Sequence, residues 1–407
     1  MSRDATPQLQ RRLGLTLLVL YGTGITVGAG VYVLIGTVAG YAGKFAPWSF
    51  VLAAVVMAFT VASYAELATR YPVSAGEAAY VRAAFGSQHL TRFVGLLTIA
   101  IAIVSSAAVA LGSAGYIREF IAVPPMLLVI VVLIAIGAVA SWGILESVVM
   151  ASIFTLIEVS GLIAIIIAAL WSDVPITPAP LPPMDMKILS GIGFASLLAF
   201  FAFIGFEDLV NVAEEAKDPH RDLPRAMAIT LVLSTILYVS IAIIAVSVVP
   251  PKDLAASSAP LSTVFRAVAG VSPATISLIA IMATLNTILA QLTMASRVIY
   301  GMARQGDLPQ RLGKVHAATN TPLIATWVTV AAALVLALWF PLERLAELTS
   351  VATLVVFAFV NVSLLQLRRN GVAAPVPTDG PAYFTVPIWV PVVGLATSVA
   401  MIAASLL

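Results

Sequence analysis

The sequence predicts an all-α integral membrane protein whose ten core helices form two inverted repeats of five, with an eleventh helix appended. Three observations predict it. The chain of 407 residues is 61% hydrophobic and only 10% charged, with mean hydropathy +1.06, whereas a soluble globule carries about a quarter charged residues. Apolar windows recur along its whole length between proline and glycine punctuation, and a bilayer takes roughly 20 apolar residues to cross. Two of the windows contain helix-breaking features about 180 residues apart, and each opens a run of five windows, the pattern of an inverted repeat with a site at the repeat interface.

The windows fall near 13–41, 48–70, 92–121, 125–143, 147–171, 188–214, 224–249, 271–305, 323–340, 345–367 and 386–407. Residues 13–171 then make the first repeat and 188–367 the second, with 1–12 as a cytoplasmic N-terminal arm and 386–407 as the additional span. The start, MSRDATPQLQRR, is polar and basic and enters the first span without a small-residue cleavage site, so the span is read as uncleaved. With the N-terminus in the cytoplasm, that side holds 15 of the 21 Lys and Arg residues. The positive-inside rule therefore sets this orientation for a multi-pass protein of the cell membrane. Eleven spans leave Leu407 on the far side, one helix short of an even count.

Composition also excludes chemistry. There is no cysteine, hence no disulfide framework or thiolate metal site. His89, His220 and His316 lie apart in polar connections, so no metal or other cofactor is expected. A net charge of +2 suggests no nucleic-acid surface.

The first span contains YGTGITVGAGVYVLIGTVAGY, from Tyr21 to Tyr41. Glycine costs about 1 kcal/mol in a helix relative to alanine, and four glycines between Gly22 and Gly30 mark a break near mid-membrane. Freed backbone at that depth is tolerated only where it is buried in protein or lines a cavity. A second half-helix starting near Ala29 and Gly30 would aim unpaired N–H groups and a positive dipole end at an anion such as a carboxylate. The competing reading of Gly24-xxx-Gly28 and Gly36-xxx-Gly40 is close helix packing. A nucleotide-binding loop is excluded by the apolar flanks and the missing strand.

The sixth span carries LLAFFAFIGFEDLVNVAEE, in which Gly205 is followed by Glu207 and Asp208. Two acids within an apolar segment face a bundle interior or an aqueous cavity, and this reads as the second interruption. Successive helical residues do not share a face, so Asp208 is expected to point away from Glu207. Glu158, midway along the fifth span, is a lone buried carboxyl suited to proton exchange; the competing role is a structural partner for a polar group on span eight. In span eight, Asn286 and Gln291 are the side chains chosen for substrate contact. Glu66 beside Arg70 is read as an interfacial ion pair.

Four blocks, GITVGAGVYVLIG, SYAELATRYPVSAGEAAYVRAAFG, FFAFIGFEDLVNVAEEAKDPHRDLPRAM and ASRVIYGMARQGDLPQRLGKVHAATNTP, resemble the amino acid–polyamine–organocation superfamily of permeases over nearly the whole chain. The resemblance implies the five-plus-five transporter fold of the neurotransmitter:sodium symporters. It places the substrate carboxylate at the Ala29 and Gly30 backbone and the α-amino group at the carbonyls of Thr26, Phe201 and Ile204. It implies Phe201 as an aromatic gate, with Phe206 as a neighbouring candidate, and Glu207 in proton-linked gating. At the position of Glu158 some proton-coupled relatives carry a lysine, so the glutamate departs from the pattern.

The expected function is secondary active transport of an amino acid, preferably neutral, by proton symport or exchange through alternating access, with substrate, protons and the lipid bilayer as partners. The alternative is a cationic amino acid or polyamine carrier in which Glu207 and Glu158 are counter-charges. A non-transporting sensor is a further alternative, disfavoured by the short terminal arms. No nucleophile–base pair or metal-ligand set in the spans points to an enzyme, and two broken helices are not a channel filter.

Overall fold

The structure, a computed structural model, describes residues 11–72, 76–142, 148–177, 181–316, 319, 321–371 and 383–405. Most of the expected N-terminal arm, the last two residues of the expected eleventh span, and residues 73–75, 317–318 and 320 of two motif blocks lie outside the described residues. Every regular element among the described residues is helical, and each of the eleven windows contains a helix.

The first window holds α1 (Leu15–Val27) and α2 (Ala29–Ala42), followed by α3 (Ala46–Arg70), a short α4 (Gly76–Phe85), α5 (Gln88–Ile117), α6 (Pro125–Ser141) and α7 (Val148–Trp171). The sixth window holds α8 (Met186–Phe203) and a 3-10 segment, Phe206–Glu215. After it come α9 (Pro219–Val248), two short helices α10 (Pro251–Ala256) and α11 (Pro260–Ala269), then α12 (Ala274–Arg304), α13 (Leu323–Trp339), α14 (Leu342–Arg369) and α15 (Trp389–Ala404). Seven helical stretches, one of them running from Leu15 to Arg70, are long and apolar enough to cross a membrane, and α6, α13 and α15 are shorter apolar helices.

Local chemistry sets ends that hydropathy misplaced. α5 starts before residue 92 because Ser87 caps it, its hydroxyl accepting from the Leu90 N–H at 3.4 Å. α9 starts at Pro219 and not near 224 because Asp218 accepts from the Arg221 N–H at 3.3 Å and a proline at the first helical position is already preset in φ. Residues 219–223, charged and outside the apolar window, thus belong to the start of the helix.

One continuous apolar core joins the helices. α1 packs on α7 and α9, α2 on α8, α3 on α8 and α9, and α5 on α12 and α14. The start of α1 is tied to the end of the 3-10 segment: the Leu13 N–H donates to the Glu215 carbonyl at 2.9 Å and the Lys217 N–H to the Leu13 carbonyl at 2.8 Å.

Glu66 forms the expected ion pair with Arg70 and is fully buried. Its Oε1 meets Arg70 at 2.6 Å and the Arg368 Nε at 3.1 Å, while Oε2 pairs with Arg368 and accepts the Val386 N–H at 2.8 Å. The missed partner is remote in sequence: Arg368 closes α14, and the carboxylate fastens α3, α14 and the approach to α15 together. Two guanidinium groups and an amide satisfy a carboxylate that would otherwise be too costly to bury.

Candidate functional site

The glycines of the first span divide their labour. Only Gly28 interrupts the helix, closing α1 and preceding α2 at Ala29. Gly24 serves packing, since a Cβ there would stand 1.9 Å from the Thr155 hydroxyl. Gly36 and Gly40 likewise lie against α10, where a Cβ would meet the Leu254 carbonyl at 2.4 Å and the Ala255 Cβ at 2.9 Å. Both sequence readings therefore hold, at different residues.

At the break, the Ala29 N–H donates to the Thr287 hydroxyl of α12 at 3.2 Å. That hydroxyl occupies the first of the orphan donors at the N-terminus of α2. Gly30 is pressed against α8, a Cβ there falling 2.4 Å from the Ala202 Cα.

In the sixth window, α8 ends at Phe203, Ile204 is extended, and Gly205 takes φ +128°, a conformation open to glycine. The Phe201 carbonyl accepts the Ile204 N–H at 3.2 Å. Glu207 folds back so that its Oε2 accepts the Gly205 N–H at 2.8 Å. The carboxylate thus holds the unwound backbone.

The two breaks touch, for a Cβ on Gly205 would lie 2.6 Å from the Ile25 side chain and 3.0 Å from its carbonyl carbon. One side chain spans both. The Tyr238 hydroxyl of α9 reaches the Thr26 carbonyl at 2.6 Å and the Ala202 carbonyl at 2.8 Å, the closing turns of α1 and α8. Its ring packs on Phe203, with centroids 4.9 Å apart, and on Phe50 at 5.9 Å.

A cavity of about 470 Å³ begins at these breaks. Of the residues expected at the site, Ile204, Glu207, Asn286 and Gln291 line it, together with Gly24, Ile25, Gly205 and Thr287. It extends towards the end of the bundle marked by Glu77, Gly95 and Arg297. On the opposite side of the breaks the helices are tied together: the Tyr116 hydroxyl donates to the Tyr32 carbonyl at 2.6 Å, and the Tyr32 hydroxyl to the Glu158 carbonyl at 2.6 Å.

Other expected residues sit behind the wall. Thr26, Ala29, Gly30, Phe201, Phe206 and Glu158 are buried outside the lining. Phe206 packs edge-on against Tyr64 at 5.4 Å and Phe357 at 5.6 Å, and Phe357 presents its other side to the cavity. Glu158 accepts a hydrogen bond from the Asn286 amide at 3.3 Å, so the polar partner on span eight exists.

Asp208 lines the cavity beside Glu207 and does not point away. The expectation assumed an α-helix. In the 3-10 segment residues three apart eclipse, which aligns Asp208 with Asn211, whose amide donates to it at 3.1 Å, while Glu207 bends back to its cap.

Sequence reasoning also passed over Glu77, Arg297 and Tyr238. Glu77 lies on α4, outside the membrane-crossing helices, and accepts the Tyr64 hydroxyl at 2.9 Å. Burial pushes its carboxyl above the usual carboxylate range, against the lowering effect of hydrogen bonds. Among the described lining residues, three carboxyl groups, those of Glu77, Glu207 and Asp208, stand with the single guanidinium of Arg297.

The sequence is similar to known proteins along its length. A family model described as amino acid permease matches residues 13–407. A branched-chain amino acid permease of Bacillus subtilis (strain 168) is 32% identical over 388 residues, covering 89% of this chain and 82% of the relative. A methylthioribose transporter of the same strain is 28% identical, covering 91% and 84%. The mitochondrial cationic amino acid transporter 3 of Arabidopsis thaliana is 31% identical, covering 89% of this chain and 63% of the relative.

Proposed function

The chain belongs to the amino acid permease family, and from that premise we propose that it is a secondary active transporter moving neutral amino acids by proton symport or exchange through alternating access. The carrying observation is the meeting of two broken helices at the head of one cavity. In this reading residues 13–171 and 188–367 are the two five-span repeats, and 386–407 adds an eleventh span. The basic-residue bias supports a cytoplasmic N-terminus in the cell membrane. The cavity mouth at Glu77, Gly95 and Arg297 is then cytoplasmic, and the conformation is inward-open.

Three of the backbone groups assigned to substrate are engaged in this conformation: the Ala29 N–H by Thr287, the Thr26 carbonyl by Tyr238, and the Phe201 carbonyl by the Ile204 N–H. The substrate carboxylate displaces the Thr287 hydroxyl from Ala29 and takes the adjoining Gly30 N–H, favoured by the dipole of α2. The ammonium group donates to the carbonyls of Thr26, Phe201 and Ile204, whose oxygens each carry two lone pairs, so that Tyr238 keeps its bond to Thr26. Phe201, with Phe206 resting on Phe357, closes the site, and Glu158 and Glu207 are the proton-coupling carboxyls.

Counterflow in reconstituted vesicles tests this reading. Labelled alanine, serine or leucine should accumulate against preloaded substrate, driven by an inward pH gradient and insensitive to sodium. Saturable binding without flux indicates a sensor instead. Glu158→Gln or Glu207→Gln should abolish the pH dependence; its survival in both variants contradicts the coupling assignment.

A second reading, cationic amino acids or polyamines, is favoured by the three carboxyls that line the cavity with one guanidinium, and by a relative named for cationic amino acids. Counterflow of arginine, lysine or putrescine in preference to leucine would select it.

A further inference from the structure

We propose that the seam between α1 and α9 is a hydration site, in which ordered water binds the hydroxyls of Thr23, Thr26, Thr230 and Ser234. All four side chains are buried, with at most 2% of their surface exposed, and none of the four hydroxyls has a hydrogen-bond partner in the protein. Several other buried helical hydroxyls turn back onto their own helix, Ser106 to the Ala102 carbonyl at 2.8 Å, Thr284 to Ala280 at 2.9 Å and Thr349 to Leu345 at 2.8 Å. Ser113 on α5 and Ser350 and Ser363 on α14 also stand without a partner, but the α1–α9 pair carries four.

The four lie together by register. Thr230, Ser234 and Tyr238 are spaced four apart and share one face of α9. The top of that face touches Thr26 through the Tyr238 hydroxyl at 2.6 Å, and its foot touches Gly22, where a Cβ would stand 2.8 Å from the Thr230 Oγ1. Ser234 therefore faces the stretch of α1 between Gly22 and Thr26, on which Thr23 and Thr26 are one turn apart.

An unpaired buried hydroxyl costs free energy, and several at one interface point to a shared polar ligand. Each hydroxyl must both donate its proton and accept one. Water, with two donors and two acceptors, answers both needs and ordinarily makes about three bonds in a buried site. A bare alkali cation accepts nothing, and these four side chains bring no negative charge to hold it. Tyr238 adds a further demand, for its one proton faces two carbonyls while its oxygen is open to a donor from the seam.

The test uses the purified full chain. Thr230→Val keeps the side-chain shape and removes the hydroxyl; Ser234→Ala removes the other on the same face. With water bound, each lowers the melting temperature by about 2–4 °C, and Thr230→Ser restores it. In a dry seam, deleting an unpaired hydroxyl leaves the melting temperature unchanged or raises it, which overturns the proposal. A high-resolution structure of the unaltered protein supplies an independent arm: density within about 3 Å of at least two of the four hydroxyls supports it, and a seam closed without density overturns it. Saturable stabilisation by sodium, potassium or lithium chloride over choline chloride, lost in Thr230→Val, identifies a cation and also overturns it. Neither arm requires transport, so the outcome is independent of the substrate reading.

Discussion

Replacing Tyr238 by phenylalanine isolates the link between the two interrupted helices. The ring keeps its neighbours Phe203 and Phe50, and only the hydroxyl that reaches the Thr26 carbonyl at 2.6 Å and the Ala202 carbonyl at 2.8 Å is lost. Leaving a buried acceptor without its donor costs about 1–3 kcal/mol. One hydroxyl carries one proton, so the loss is that of a single shared bond and not of two. If the bond holds the ends of α1 and α8 in the geometry that grips substrate, affinity falls by about 5-fold to 150-fold. Ligand-induced thermal shift in detergent measures binding, and the half-saturating concentration for counterflow measures the same interaction in vesicles. Affinity within twofold of the parent, with an unchanged melting temperature, would refute the idea that Tyr238 fixes the two breaks relative to each other.

Glu66→Gln should lower stability by about 3–5 kcal/mol, because it leaves Arg70 and Arg368 buried around a neutral group; an unchanged thermal transition would show the network to be dispensable. Glu77 should make the protein more stable in acid than at neutral pH. Its native pKa is raised by burial, so the folded state holds a proton that the unfolded chain has released, and that contribution is full at low pH and lost as pH rises through the interval. Glu77→Gln stays neutral throughout and should flatten the fall in melting temperature as pH rises above the usual carboxylate range; an identical slope contradicts the assignment. Gly24→Val should abolish folded expression, since its Cβ would overlap the Thr155 hydroxyl, whereas Gly14→Ala, with nothing within 4 Å, should be silent. Equal yields of the two by size-exclusion chromatography would remove the packing role from Gly24.

The helix-breaking positions were legible because they rest on backbone chemistry that a single residue type reveals. Glycines within an apolar run located the first break within the stretch from Gly22 to Gly30, and Gly205 located the second. Which glycine would yield was not legible, because Gly22 and Gly24 are required by Leu209, Thr230 and Thr155, residues more than a hundred positions away. The same distance hid Tyr238 at the Thr26 carbonyl, since it belongs to a helix that reads as ordinary apolar span. Asp208 was misplaced because the 3-10 geometry of Phe206–Glu215 leaves no mark in hydropathy. The Glu66 pair with Arg70 was legible because the two are one turn apart, whereas Arg368 and Val386 complete its burial through the third dimension.

A high-resolution structure of the protein with the amino acid that counterflow identifies would probe the grip of the broken helices most directly. The carboxylate should lie within about 3 Å of the Ala29 and Gly30 N–H groups, the Thr287 hydroxyl should be displaced, and the ammonium should face the carbonyls of Thr26, Phe201 and Ile204. An amino acid held elsewhere in the cavity, with the Ala29 to Thr287 bond intact, would contradict it.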